Sequence, residues 1–216
     1  MKVLVTGSSL GIGRAIAQKF ADEGHEVHGI DIVSPAFEIE GMVTYIADVA
    51  DYTKLPRIGD VEVLINNAGV QNPSKDLSVN LEGVINCTEV YGMRQKIKSV
   101  VNIASASAHT GAEFGTYVAS KGGVLAYTKF TAREIAGYGA TCNSISPGAV
   151  LTGMNEHILA SPYMSVAVTN ESMLKKWATP EEVADLAYFL AVVNKSITGQ
   201  DILLDNGEML NQNFIW

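Results

Sequence analysis

Seven short runs rich in valine and isoleucine recur along the chain, and segments with helical patterning separate them. The runs are apolar at successive positions, which is typical of strands that are covered on both faces in a parallel sheet. The alternation of strands and helices therefore predicts an α/β fold with a doubly wound, parallel, seven-stranded sheet. The predicted strands are residues 2–6, 26–31, 42–47, 61–66, 99–104, 141–146 and 201–205.

Helix signals fill the spaces between these runs. Residues 11–24 have apolar side chains on one face and end at Gly24, a common C-terminal cap. At 179–191, Thr179 can cap a helix and Glu182 completes a capping box. Two further long helices are predicted at 76–95 and 117–137.

Length and composition narrow the possible functions. The chain fits one domain, predicted to span residues 1–216, and its 47% hydrophobic and 18% charged residues argue against disorder. A formal net charge of -8 disfavours binding to nucleic acid or to anionic membranes. The chain shows no export signal and no apolar run of membrane-spanning length, so we expect a cytoplasmic protein that needs no membrane.

Cysteine and histidine are too sparse to indicate a metal site. Cys87 and Cys142 provide neither a disulfide framework nor a zinc cluster, and we expect both to be buried in a reducing compartment. His25 and His28 lie close together but lack a third ligand nearby. No metal is predicted.

A glycine-rich turn joins the first predicted strand to the first predicted helix. Glycine leaves room for a diphosphate to approach the backbone amides at the N-terminus of a helix. The turn is therefore predicted to bind a dinucleotide, although the same glycines would also suit a plain tight turn. Its glycines are Gly7, Gly11 and Gly13, and Ser9, Leu10 and Ile12 lie between them.

Two aspartates follow predicted strands near this turn. Asp31 lies where a carboxylate would accept hydrogen bonds from an adenosine ribose, and its charge would repel a 2′-phosphate. We therefore expect NAD in preference to NADP, the alternative being an exposed strand-end aspartate. Asp48, with Val49, could contact the adenine edge, while turn capping by Asp48 remains open.

Tyr117 and Lys121 lie one helical turn apart in the predicted helix 117–137. A phenol in water has a pKa of about 10, and a neighbouring ammonium favours the phenolate. Tyr117 could then take a proton from an alcohol or give one to a carbonyl. The pair alone is also consistent with an exposed tyrosine beside an exposed lysine.

Seven motifs in order resemble the short-chain dehydrogenase/reductase family and together cover essentially the whole chain. They are TGSSLGIG at 6–13, NNAG at 66–69, VNLEG at 79–83, NIAS at 102–105, YVASK at 117–121, SPGAVLT at 146–152 and TGQDILLDNG at 198–207. The resemblance implies the family's three-layer Rossmann-like fold and a nicotinamide cofactor. It also implies an oxidoreductase that transfers hydride between this cofactor and a secondary alcohol or ketone.

The resemblance further implies roles for individual residues. Ser105 would contact the substrate oxygen, Lys121 would hold ribose hydroxyls, and Asn80 would link Lys121 to solvent through water. The implied catalytic group is Asn80, Ser105, Tyr117 and Lys121. The implied cofactor contacts are Asn67, Ala68 and Gly69 near the ribose, and Pro147, Gly148, Val150 and Thr152 around the nicotinamide. Taken singly, Ser105 and Asn80 could have purely structural roles.

The chain departs from the family pattern in two ways. It is short at 32–41, 50–60 and 70–79, and the first two losses are expected to affect cofactor affinity more than chemistry. Ser105 also stands one residue closer to Tyr117 than the family spacing. We interpret this as a loop deletion, with Ser107 as the alternative catalytic serine. His109, in the same loop, could face substrate or be an exposed loop histidine.

Substrate and assembly are less well defined by the sequence. Residues 152–177 are predicted to cover an apolar or mixed small-molecule substrate, although their methionines would equally suit helix packing. Helices 76–95 and 117–137 are expected to form a homodimer or homotetramer. The tail that ends in residues 214–216 could join that interface or pack on its own subunit.

Two other functions remain open. A reductase of 3-oxoacyl thioesters would resemble many members of the family, but Asp31 argues against it because that reaction commonly uses NADPH. A non-catalytic redox sensor that binds a nicotinamide nucleotide is the other alternative. The complete set of Asn80, Ser105, Tyr117 and Lys121 argues against a sensor, because a sensor needs no proton relay.

Overall fold

The computed structural model describes residues 1–112 and 114–211 and contains one parallel sheet. Its strands run in the order β3-β2-β1-β4-β5-β6-β7. All seven predicted strands are confirmed, with ends that differ by up to two residues. They are β1 (Lys2–Thr6), β2 (Glu26–Asp31), β3 (Val43–Ile46), β4 (Val63–Asn66), β5 (Ser99–Ile103), β6 (Thr141–Pro147) and β7 (Asp201–Leu204).

Helices lie between the strands as the sequence predicts. They are α1 (Gly11–Asp22), α2 (Gly83–Cys87), α3 (Ser107–Thr110), α4 (Gly115–Ile135), α5 (Glu156–Leu159), α6 (Pro162–Glu171) and α7 (Pro180–Tyr188). The predicted helix 76–95 is confirmed as a continuous helical segment over 76–92, in which π-helical turns at Ser78–Glu82 and Thr88–Gly92 flank α2. A third such turn, Phe189–Val193, follows α7.

Local signals explain where the helices begin and end. Helix α7 starts with the predicted capping box, in which Thr179 and Glu182 each accept a backbone hydrogen bond from the other. Helix α1 ends at Asp22, two residues before the prediction, because Gly24 takes a positive φ of +76° and its amide bonds back to Ala21. Glycine adopts that conformation without strain, so Gly24 caps the helix from outside it.

The sheet is covered on both faces. Val3 and Val5 of β1 pack with Phe20 of α1 in one buried cluster that also contains α7. Leu4, which points to the opposite face, packs with Ile135 of α4 in a second cluster. This division between odd and even positions gives three layers, with the sheet in the middle.

The shortened segments have the structure that their sequence suggests. No helix forms at 32–41, and residues 50–60 contain only the 3₁₀ turn Tyr52–Lys54, which Asp51 caps. Both cysteines are buried and free, as predicted, and burial raises the pKa of the Cys87 thiol to about 12. The end of the tail, which could join an interface or pack on its own subunit, lies at 212–216, outside the described residues. Assembly through the long helices stays a prediction.

The strand order reverses at β1. This strand pairs with β2 on one side and with β4 on the other. Ligands of open parallel α/β sheets bind in the crevice outside the carboxyl ends of the strands at such a reversal. The fold therefore brings the glycine-rich turn after β1 to the place where a ligand site is expected.

Candidate active site

A cavity of about 660 Å³ opens at the carboxyl ends of the strands. One end is lined by Asp31, Asp48 and Val49, and the other is closed over by the segment that contains α5 and α6. The middle is lined by the turn after β1 and by the segments after β4 and β5. The cavity therefore runs across the crevice and unites most of the residues that the sequence predicted.

The glycine-rich turn forms one wall. Gly7, Leu10, Gly11 and Ile12 line the cavity. Gly13 lies behind them, where a Cβ atom would be 2.1 Å from the Gly7 carbonyl oxygen and 2.3 Å from Asn67 Nδ2. Such distances are far below van der Waals contact, so only glycine permits this approach of α1 to the turn. The turn thus has the tight packing that a dinucleotide loop requires.

Asn67 ties this turn to the end of β4. Its Nδ2 donates to the carbonyl oxygens of Thr6 at 3.0 Å and Gly7 at 3.1 Å. The Thr6 hydroxyl in turn accepts from the backbone amides of Asn67 and Ala68. Asn67, Ala68 and Gly69 all line the cavity. Sequence reasoning assigned no role to Thr6, although it opens the first quoted motif.

Asp31 is held in place by backbone amides. Its Oδ2 accepts from Ser9 at 2.9 Å and its Oδ1 accepts from Val33 at 3.2 Å. Ser9 is buried and supports Asp31 rather than lining the cavity. At the neighbouring strand end, Asp48 accepts from the amide of Ala50, so it caps its own turn while lining the cavity.

Ser105, Tyr117 and Lys121 meet in the middle of the cavity. Tyr117 and Lys121 are 7% and 5% exposed, which excludes the alternative of an exposed pair. Lys121 Nζ donates to the carbonyl oxygen of Ile103 at 2.9 Å and lies 5.7 Å from the centroid of the Tyr117 ring. Both side chains project from one face of α4, as their spacing of four predicts.

Ser107 also lines the cavity, and the two candidate serines are linked. The Ser107 hydroxyl donates to Ser105 Oγ at 2.9 Å, and the Ser107 amide donates to the same oxygen. Ser105 is therefore oriented by its neighbour, and the two serines form one unit. Both serines line the cavity, so the choice of Ser105 over Ser107 stays a prediction.

Asn80 is fully buried and does not line the cavity. Its side chain accepts from the amide of Val70 at 2.8 Å and donates to the Val70 carbonyl oxygen at 2.9 Å. It also donates to Ser120 Oγ. Asn80 thereby holds the strand-end segment against α4, close to Lys121. The water-mediated link from Asn80 to Lys121 stays a prediction.

The far end of the cavity is covered as expected. Pro147, Gly148, Val150 and Thr152 line it, and the Val150 backbone pairs with Ala178 in an isolated bridge. The methionines of 152–177 do not pack in a helix core, because Met154, Met164 and Met173 are 44%, 42% and 55% exposed. Of these three, Met154 lines the cavity.

Comparison with known proteins agrees with this geometry. A family model described as enoyl-(acyl carrier protein) reductase matches residues 7–208. The 3-oxoacyl-(acyl-carrier-protein) reductase FabG of Thermotoga maritima is 34% identical, over 94% of this chain and 96% of that protein. The chain belongs to the short-chain dehydrogenase/reductase family. The family binds a nicotinamide cofactor.

Solved structures of this family superpose closely. The ligand-free aldohexose dehydrogenase of Thermoplasma acidophilum has a TM-score of 0.89 at 27% identity and covers 100% of this chain and 96% of its own. A putative 2-deoxy-d-gluconate 3-dehydrogenase from Agrobacterium tumefaciens with bound NADP has a TM-score of 0.90 at 26% identity, with 97% and 96% coverage. The shortened segments therefore leave the fold of a short-chain dehydrogenase/reductase unchanged.

Several cavity residues were missed by sequence reasoning. Four of them line the cavity of this short-chain dehydrogenase/reductase and are Gln71, Lys75, Glu171 and Glu208. They lie in turns or at a helix end, where no periodicity marks them.

Within residues 1–112 and 114–211, no group of three His, Cys, Asp or Glu side chains could hold a metal ion. No described helix is both long and apolar enough to cross a membrane.

His109 is exposed and does not line the cavity of this short-chain dehydrogenase/reductase, so the structure favours the alternative of an exposed histidine over one that faces substrate. It lies on α3, and its Nε2 is 2.8 Å from Asp201 Oδ2 at the start of β7. Asp201 Oδ1 also accepts from the hydroxyls of Ser144 at 2.6 Å and Ser146 at 2.9 Å. Asp201 therefore links α3 to β6, through His109 on one side and the two serines on the other. Helix α3 comes shortly after Ser105 in the chain.

Asp201→Ala is expected to lower the free energy of unfolding by about 2 to 3 kcal/mol, because two fully buried serine hydroxyls lose their acceptor. The melting temperature should fall by roughly 5 to 10 °C. His109→Ala is the control: it removes only a partly exposed pair and should cost about 1 kcal/mol or less. Thermal unfolding followed by circular dichroism measures both, and equal losses would contradict the account of Asp201 as the anchor.

Proposed function

We propose that this protein is an NAD-dependent oxidoreductase that interconverts a secondary alcohol and a ketone, with Tyr117 as the general acid and base. The observation that carries the proposal is the burial of Tyr117 and Lys121 together with Ser105 in one cavity. That cavity also contains the glycine-rich turn and Asp31. A proton carrier and a dinucleotide cradle thus share one crevice.

The residues present fit a nicotinamide dinucleotide. The absence of a Cβ at Gly13 lets the N-terminus of α1 approach the turn, and the turn amides can then face a diphosphate. Asp31 would accept hydrogen bonds from the adenosine ribose, and Lys121 would hold the other ribose. When bound, the nicotinamide accepts or donates the hydride.

The chain's own groups manage the proton. Tyr117 would take a proton from the substrate hydroxyl during oxidation and return it to the carbonyl oxygen during reduction. The Lys121 ammonium favours the phenolate form of Tyr117 electrostatically. The Ser105 hydroxyl would donate to the substrate oxygen and stabilise the charge that develops there. Asn80 would help to position Lys121, because its side chain bonds to Val70 after β4 and to Ser120, the residue before Lys121.

Oxidation of secondary alcohols with NAD, followed by absorbance at 340 nm, tests the proposal. We expect turnover of at least one compound in a broad panel of alcohols and ketones. A redox sensor would bind the nucleotide and turn over none of them. The second enzymatic candidate is a 3-oxoacyl thioester reductase, which the similarity to FabG of Thermotoga maritima favours.

We also infer a preference for NAD over NADP from Asp31. Two backbone amides fix its carboxylate at the adenosine end of the cavity, where a 2′-phosphate would meet a like charge. The Agrobacterium tumefaciens relative binds NADP, so the preference must come from this chain's own residues. The two nicotinamide dinucleotides can be compared directly as cosubstrates.

Asp31→Asn is expected to lower kcat/KM for NAD and raise it for NADP, changing the ratio of the two by about 10-fold to 100-fold. The loss of charge removes the repulsion while the amide keeps the size of the side chain. Asp22→Asn is the control, because Asp22 lies exposed at the end of α1 and does not line the cavity. A wild-type preference for NADP, or an unchanged ratio in Asp31→Asn, would overturn this inference.

A further inference from the structure

We call the end of the cavity that is lined by α5 and α6 the substrate end. It contains two carboxylates that take no part in the proposed proton transfer. Glu208 lies against residues 147–152, which are predicted to surround the nicotinamide. A Cβ atom at Gly148 would be only 2.8 Å from Glu208 Oε2. Glu171 lines the same end from the last turn of α6. A carboxylate has room for about four hydrogen bonds, so each can accept from substrate hydroxyls as well as from the protein.

Hydrogen bonds join the two segments that carry these carboxylates. Asn211 Nδ2 donates to the carbonyl oxygens of Glu171 at 2.8 Å and Asn170 at 3.1 Å. The amide of Leu174 donates to Asn206, and Asn206 Nδ2 donates to Lys176. The end of α6 is therefore tied to the turn after β7. Glu171 and Glu208 thus belong to one built wall of the cavity.

The rest of the lining combines polar and apolar groups. Ser107, Gln71 and Asn155 contribute hydroxyl and amide groups, while Trp177 and Ile158 belong to the apolar surface, which is the larger part. Among the described lining residues, Lys75 and Lys121 are the two ammonium groups, and Lys75 is exposed. The substrate end thus carries two carboxylates and little positive charge beside apolar surface.

We propose that this end of the cavity binds a neutral polyhydroxylated substrate, an aldose or a polyol, whose hydroxyl groups donate to Glu208 and Glu171. The inference rests on the proposed function and names its substrate class. Hydrogen bonds from neutral hydroxyls to carboxylates are charge-assisted and strong. A thioester on a phosphate-bearing arm would instead bring negative charge towards two carboxylates on a protein of net charge -8.

The proposed oxidation needs only the substrate, the nicotinamide cofactor and Tyr117. The C–H bond of the substrate carbinol breaks as hydride leaves to the nicotinamide, and the O–H proton goes to Tyr117. The carbinol is oxidised to a ketone or lactone, and NAD is reduced. Glu208 and Glu171 orient the other hydroxyl groups and take no part in bond breaking.

A direct comparison of substrates tests the class. Five- and six-carbon polyols and aldoses are assayed with NAD, and acetoacetyl coenzyme A and its uncharged N-acetylcysteamine thioester are assayed with NADH. We expect kcat/KM for the best polyol or aldose to exceed that for acetoacetyl coenzyme A by at least about 10-fold. Slow reduction of the coenzyme A thioester alone would indicate repulsion of its phosphates. Slow reduction of both thioesters would indicate that the site rejects the acyl group itself. Faster reduction of either thioester would overturn the proposal.

Glu208→Gln tests the contact itself. It should raise KM for the best polyol by about 10-fold and weaken polyol binding in the presence of NADH, measured by saturation-transfer NMR. Glu171→Gln, at an exposed position, should act in the same direction. Glu134→Gln on α4, outside the cavity, removes the same charge and is the control. Unchanged polyol binding in both cavity variants would overturn the proposal.

The same measurements separate this inference from the proposed function. Turnover of simple ketones without detectable polyol binding would overturn the substrate class and leave the chemistry intact. Polyol binding that depends on Glu208, without turnover of any alcohol or ketone, would overturn the proposed chemistry and support only the binding of polyols at this end of the cavity.

Discussion

Tyr117→Phe is expected to lower kcat by at least about 1000-fold while NADH still binds. In the proposed scheme the phenol exchanges a proton with the substrate oxygen, and phenylalanine keeps the ring that lies beside Lys121. Absorbance at 340 nm measures turnover, and calorimetric titration with NADH measures binding. The two readouts separate a lost proton carrier from a lost cofactor site.

Tyr127→Phe on the same helix is the matched control. Burial raises the pKa of the Tyr127 hydroxyl to about 12, and this side chain does not line the cavity. We expect its turnover to stay within about twofold of the wild-type value. Substantial activity in Tyr117→Phe would contradict the assignment of the proton carrier.

Gly13→Ala is expected to abolish NADH binding, with a loss of affinity of at least about 100-fold, and to destabilise the fold by about 1 to 3 kcal/mol. The new methyl group would lie 2.1 Å from the Gly7 carbonyl oxygen, so either the turn or α1 must move. Movement there takes the amides away from the diphosphate. Calorimetry and thermal unfolding measure the two effects.

Gly122→Ala provides the opposite expectation with the same chemical change. Apart from its chain neighbours and the backbone of its own helix, no described atom lies within 4 Å of a Cβ at Gly122, which is inside α4. Alanine favours helix over glycine, so this variant should gain about 0.5 to 1 kcal/mol and keep its affinity for NADH. Equal behaviour of the two variants would show that crowding at Gly13 is not what shapes the turn.

The fold was predictable because local and global signals agree. Each strand is a short apolar run, and most of the strands are joined by a helical connection, so a parallel arrangement follows. The capping box at Thr179 and the C-terminal glycine at Gly24 mark helix ends with local chemistry. The π-helical turns around α2 were not predictable, because they have no signature in the order of residues.

The centre of the site was also visible in the sequence. Tyr117 and Lys121 lie one helical turn apart, and their order relative to the glycine turn matches a known family. Supporting contacts were not visible, because they join distant parts of the chain. Asp201 and His109 are 92 residues apart, and Asn67 reaches back 60 residues to Gly7. Glu208 enters the cavity only because the turn after β7 packs beside Gly148.

The central claim is that one crevice holds a nicotinamide nucleotide beside Tyr117. Calorimetric titration of the wild-type protein with NADH tests it most directly. The account predicts saturable binding of one NADH per chain, weaker binding of NADPH, and no measurable binding of NADH to Gly13→Ala. Absence of saturable binding of either nucleotide to the wild-type protein would contradict it.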